Sequence, residues 1–152
     1  MSAWAGALKN PLRWRSLLCG AWLGLLLCVA LISTPAAFAT LPSADAGRVA
    51  GFILAREAIV SLALGMVLAV LERQIARDDE RQFSAGLALA LGTVFCTVLG
   101  YFVLQPLMAE ARLGHGSLSF GQLHAVSLAF FVVKGLLVVA LAWRSSRAAA
   151  SL

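Results

Sequence analysis

The chain has 152 residues, of which 61% are hydrophobic and 12% charged, and its mean hydropathy is +0.91. Soluble domains are about half apolar and a quarter charged, so this composition excludes a water-soluble globular protein and points to lipid as the solvent. The net charge of +5 comes from 12 basic and 7 acidic residues scattered between apolar runs, without the basic, aromatic-laced stripe of a nucleic-acid binder.

A membrane-spanning helix needs about 20 mostly apolar residues. Four stretches qualify, at 16–38, 49–71, 83–107 and 120–143, and they leave no room for a soluble domain. The expected fold is all-α: a polytopic four-helix bundle in the inner (cytoplasmic) membrane, forming a single transmembrane domain. The connections are short. Leu41, Pro42 and Ser43 form a turn, 72–82 is a charged link, and Gly114, His115 and Gly116 mark a loop.

The first stretch follows Lys9, Arg13 and Arg15, the second precedes Arg73, Arg77 and Arg81, and the fourth precedes Arg144 and Arg147. Only Arg48 and Arg112 flank the other side, so the positive-inside rule places both termini and the 72–82 link in the cytoplasm. Asp78, Asp79 and Glu80 do not alter this, because the rule counts Lys and Arg. Ala37-Phe38-Ala39 has the small-residue character of a signal-cleavage site. The apolar run before it is longer than a usual signal core, so the first span is expected to be retained.

Small residues recur at every fourth position. The stripes are Gly20, Gly24 and Cys28 in the first span, Gly47, Gly51 and Ala55 and then Ser61, Gly65 and Ala69 in the second, and Ala88, Gly92, Cys96 and Gly100 in the third. Such spacing lets helix backbones approach closely, within one chain or in a homo-oligomer. Cys19, Cys28 and Cys96 lie in apolar segments, where cysteine behaves as a small hydrophobe. Trp4, Trp14, Trp22 and Trp143 read as an interfacial aromatic belt. Pro35 and Pro106 are expected near outer helix ends.

Arg56, Glu57 and Lys134 are the informative positions, since a charge near the bilayer centre costs roughly 2.5–3.5 kcal/mol on insertion scales. Arg56 lies close enough to the outer surface to snorkel. Lys134 is about 15 Å along the helix from Arg144, too far for that escape, so it is expected to face the interior and pair with Glu57. His124, Ser127, Phe131 and Lys134 share one helical face. His124 is a candidate hydrogen-bonding, metal or haem-ligating histidine, but with His115 as the second of two histidines no chelating set is evident. Phosphate-cradling glycine loops, GxSxG and HExxH are absent, so no catalytic residue, cofactor or resident metal is assigned.

Three motifs carry a family resemblance: Thr34-Pro35-Ala36-Ala37-Phe38, Ala46-Gly47-Arg48-Val49-Ala50-Gly51, and Phe120-Gly121-Gln122-Leu123-His124-Ala125-Val126-Ser127. Together they resemble the transmembrane-protein-205-like family, known in bacteria as domain of unknown function 4149. The resemblance implies a four-helix membrane domain without a settled activity. Residues 52–57 depart from the family pattern, which makes Arg56 and Glu57 features of this chain. A fold-level likeness to copper-resistance membrane proteins and to membrane protoporphyrinogen oxidases keeps copper and haem as alternatives at His124.

These readings yield three functions. The first is a noncatalytic protein acting by helix association, in a homo-oligomer or with a membrane-protein partner. The second is metal or small-solute handling through an oligomer lined by Glu57, Lys134 and His124. The third is a haem-dependent membrane oxidoreductase.

Overall fold

A computed structural model describes residues 11–78 and 83–150. Trp4, Lys9, Asp79, Glu80 and Arg81 lie outside the described residues. All regular structure among the described residues is helical: α1 (Pro11–Cys28), a π-helical turn (Val29–Ser33), α2 (Thr34–Thr40), α3 (Ser43–Asp78), α4 (Ala85–Thr97), a second π-helical turn (Val98–Val103), α5 (Leu104–Arg112) and α6 (Phe120–Ala150). These make four helical spans long and apolar enough to cross a membrane: Leu12–Thr40, Ser43–Arg77, Ala85–Arg112 and Phe120–Ser146.

Each span runs past its sequence-derived C-terminal boundary, and the first two also begin earlier. The second helix continues to Asp78, carrying the first part of the charged link with it. The third starts at Ala85 rather than residue 83, because Ser84 adopts an extended conformation and its hydroxyl accepts the Leu87 amide at 3.1 Å. The fourth opens on a capping box. The Ser119 hydroxyl accepts from the Gln122 backbone N–H while the Gln122 side-chain Oε1 accepts from the Ser119 backbone N–H at 2.9 Å. Gly114 and Gly116, at φ 79° and 101°, make the preceding turn in a region that L side chains rarely adopt.

The two prolines do not end their helices. Proline lacks an amide proton and crowds the carbonyl four residues back. In both cases the chain widens just upstream, so that Thr34 donates to the Val29 carbonyl and Leu104 to the Leu99 carbonyl, five residues back. The helix then continues past Pro35 to Thr40 and past Pro106 to Arg112. The first and third spans thus share a π-turn followed by a proline, a likeness of geometry beyond their shared small-residue spacing.

In order around the core, the second span packs on the third, the third on the fourth, the fourth on the first and the first on the second. Cys19, Trp22, Leu26, Leu68, Leu87, Val138 and Leu141 belong to the shared apolar cluster. Cys19 is buried and Cys28 exposed, as nine residues on a helix require. No more than 33% of the most apolar window of any span is buried, so most of its apolar surface points outward, as in a helix bathed in lipid.

Candidate functional site

Glu57 sits on α3, the second span, with 4% of its surface exposed, and Lys134 sits on α6, the fourth span, with 3%. The two spans face each other across the core, with the first and third each packed against both. The long lysine side chain crosses this gap and donates to both carboxylate oxygens of Glu57, at 2.7 and 2.9 Å. Its ammonium also lies 4.8 Å from the Phe131 ring centroid, a cation–π distance.

Two more residues complete the chain. Ser61, one turn beyond Glu57, donates its hydroxyl proton to Glu57 Oε1. It accepts from Trp22 Nε1 at 2.8 Å. The Glu57 carboxylate therefore takes three donated hydrogen bonds, two from Lys134 and one from Ser61, and three of the four spans supply the network. A buried carboxylate and ammonium are tolerated in a low-dielectric interior when opposite charge and hydrogen bonds offset their desolvation, and both conditions are met here.

Ser127, seven residues before Lys134, performs a different task. Its hydroxyl donates at 2.6 Å to the carbonyl of Gly100, inside the second π-helical turn where the regular i→i−4 ladder is interrupted. Arg56 is exposed and turned away from Glu57, with its guanidinium 5.0 Å from the Phe52 ring centroid one turn earlier. His124 is also exposed and stacks on Phe120, with ring centroids 5.7 Å apart. Of the five polar candidates, the structure joins Glu57 with Lys134, places Ser127 on a backbone carbonyl, and leaves Arg56 and His124 at the periphery. No group of three or more His, Cys, Asp or Glu side chains suited to a metal ion occurs among the described residues.

The small-residue positions divide in the same way. A methyl group on Gly65 would meet Val94 at 2.8 Å and Trp22 at 3.4 Å, on Gly92 it would meet Leu137 at 3.1 Å, and on Gly100 the Phe130 Cβ at 2.6 Å. These three glycines sit in close contacts within the chain. Gly20, Gly24, Gly47 and Gly51 have nothing within 4 Å of that position, so they form no such internal contact.

The buried roles of Trp22, Arg15 and Glu72 were not evident from sequence. Trp22, read as part of an interfacial belt, is fully buried at 0% exposure, whereas Trp14 and Trp143 are exposed. Trp22's spacing of three residues from Cys19 and four from Leu26, which puts the three on one helical face, was the available signal. Arg15 and Glu72, read as flanking charges, form a second buried pair at 3.3 Å, linking the starts of the first span and the end of the second. The Glu72 carboxylate fits against Gly86, where an added methyl would fall 2.0 Å from Oε2. Arg15 Nε is the buried side-chain polar atom without a partner among the described residues.

The comparisons with known proteins reach one result. A family model described as Domain of unknown function (DUF4149) matches residues 17–117, which take in most of the first span and all of the second and third. Neither a curated protein nor a solved structure matches the chain.

Proposed function

The chain belongs to the DUF4149 family, and from that premise we propose that it is a noncatalytic protein of the inner, cytoplasmic membrane that works by helix association. It is a four-helix bundle with both termini and the 72–82 link on the cytoplasmic side, akin to transmembrane-protein-205-like domains. Its partner surface lies on the first span, and a second copy of the chain is the simplest occupant.

The unequal use of glycine carries this reading. Gly65, Gly92 and Gly100 pack within the chain, whereas Gly20 and Gly24 lie on an exposed face with open space above them. Leu17, Leu27 and Leu31 flank that face and are themselves exposed. Glycine in a helix costs about 0.8–1 kcal/mol relative to alanine, and close approach of another helix offsets that cost. The buried polar chain supports the same reading, since Glu57 and Lys134 spend their hydrogen bonds on each other, on Ser61 and through it on Trp22.

Single-molecule subunit counting in lipid nanodiscs tests it. The wild type is expected to bleach in two or more steps, and a Gly20→Leu/Gly24→Leu variant in one. Single-step bleaching of the wild type at every protein-to-lipid ratio would remove self-association. A periplasmic location of a reporter fused to the C-terminus would remove the orientation.

A further inference from the structure

We propose that a groove between the second and third spans, at the end of the membrane that holds the Arg15–Glu72 pair, binds one anionic phospholipid. The site would take an acyl chain in its apolar floor and the headgroup phosphate at its mouth. This goes beyond helix association and uses a different face of the molecule.

The groove has a volume of about 360 Å³, towards the lower end of ligand-binding clefts and suited to part of an acyl chain rather than a whole lipid. Met66, Ala69 and Val70 line one wall, and Leu87 and Leu91 line the other. Arg73, Gln74 and Arg77 continue the first wall toward the membrane surface. Residues 66, 69, 70, 73, 74 and 77 fall on one helical face, so the switch from apolar to cationic occurs along a single stripe, in the direction a phospholipid changes from chain to phosphate. Met66 and Val70 are half exposed, which leaves this wall open to a lipid neighbour.

Charge makes the mouth selective. Glu72, between the groove residues in sequence, is turned inward and bound to Arg15, so its carboxylate does not face the groove mouth. Arg73 and Arg77 are four residues apart on one helical face and both line the groove, and a guanidinium carries several N–H donors in a fork that matches phosphate oxygens. Diffuse attraction to an anionic surface does not explain such binding: over residues 73–81, Arg73, Arg77 and Arg81 are matched by Asp78, Asp79 and Glu80. Selectivity therefore rests on where the two guanidiniums sit, above an apolar cleft, and not on net charge.

Native mass spectrometry of the full-length protein in mild detergent tests the site, with phosphatidylglycerol and phosphatidylcholine of identical acyl chains added in turn. The expected result is one retained phosphatidylglycerol per chain, about tenfold above phosphatidylcholine, because the choline cation of the latter offsets its phosphate charge beside the two arginines. Arg73→Gln/Arg77→Gln should abolish that preference, and Val70→Trp, which fills the groove from its exposed side, should lower retention of both lipids. Unchanged thermal unfolding midpoints would show that the variants remain folded. Equal retention of the two lipids, or full preference in Arg73→Gln/Arg77→Gln, would reduce the groove to ordinary annular lipid contact. Displacement of phosphatidylglycerol by millimolar inorganic phosphate, with no effect of Val70→Trp, would overturn the acyl-chain part.

Discussion

The Lys134 ammonium donates to both oxygens of the Glu57 carboxylate, at 2.7 and 2.9 Å, from a span that lies across the core from the span bearing Glu57. The pair thus ties together two helices separated by the first and third spans. Removing one member leaves a buried charge without its partner, an effect of about 3–5 kcal/mol, whereas removing both takes away the charge problem itself. Glu57→Gln and Lys134→Met should each destabilise the protein strongly, and the double variant should lose much less than the sum. Guanidinium unfolding in detergent micelles measures the cycle, and additive losses would sink the coupling.

Trp22 contributes both a large ring and one hydrogen bond, and these can be separated. Trp22→Phe keeps most of the buried ring but leaves Ser61 with its donation to Glu57 alone. The expected loss is about 1 kcal/mol, against about 3–5 kcal/mol for Trp22→Ala, which also opens a cavity. If Trp22→Phe costs as much as Trp22→Ala in the same unfolding assay, the indole N–H rather than packing dominates.

Much of this architecture was legible in the chain because lipid imposes simple rules. An apolar run of sufficient length must be helical, so four spans and short connections followed directly from hydropathy. Lys134 was identifiable as an interior residue because no interface lay within its reach. Other features depend on tertiary contacts that periodicity does not encode. Arg15 and Glu72 have the same flanking character in sequence as Arg13 and Arg73, and packing of the first span on the second is what buries the pair. Gly20 and Gly65 likewise share one spacing pattern, although only Gly65 meets neighbouring side chains. The prolines lie near helix ends as their positions suggested, but the π-turns that absorb the backbone conflict upstream of them are announced by nothing local in sequence.

Gly100 and Ser127 provide a sharper test of that π-turn. A methyl group at Gly100 would fall 2.6 Å from Phe130 Cβ, an atom close to the backbone, so the third and fourth spans must separate to admit it. Gly100→Ala should cost about 1–3 kcal/mol, as overpacking does, while Gly51→Ala, with open space at its Cβ, should be neutral or slightly stabilising. Ser127→Ala removes the donor to the Gly100 carbonyl and should cost about 0.6–1 kcal/mol. Equal stabilities for Gly100→Ala and Gly51→Ala would contradict the close packing of the third and fourth spans.

Gly86 and Glu72 allow the second buried pair to be tested without touching Arg15. An added methyl at Gly86 would occupy the space of the Glu72 carboxylate, 2.0 Å from Oε2, so the flexible end of that side chain must shift and its 3.3 Å contact with Arg15 is disturbed. In the wild type, Gly86→Ala should therefore weaken the ion pair and cost about 1–3 kcal/mol. With Glu72→Ala already present, the obstructed side chain is gone, and the same Gly86→Ala change should have little further effect. The reading is the difference between the two backgrounds in an unfolding titration. A Gly86→Ala penalty of the same size in both would show that its cost arises elsewhere in the α4 contact and not through the Arg15–Glu72 pair.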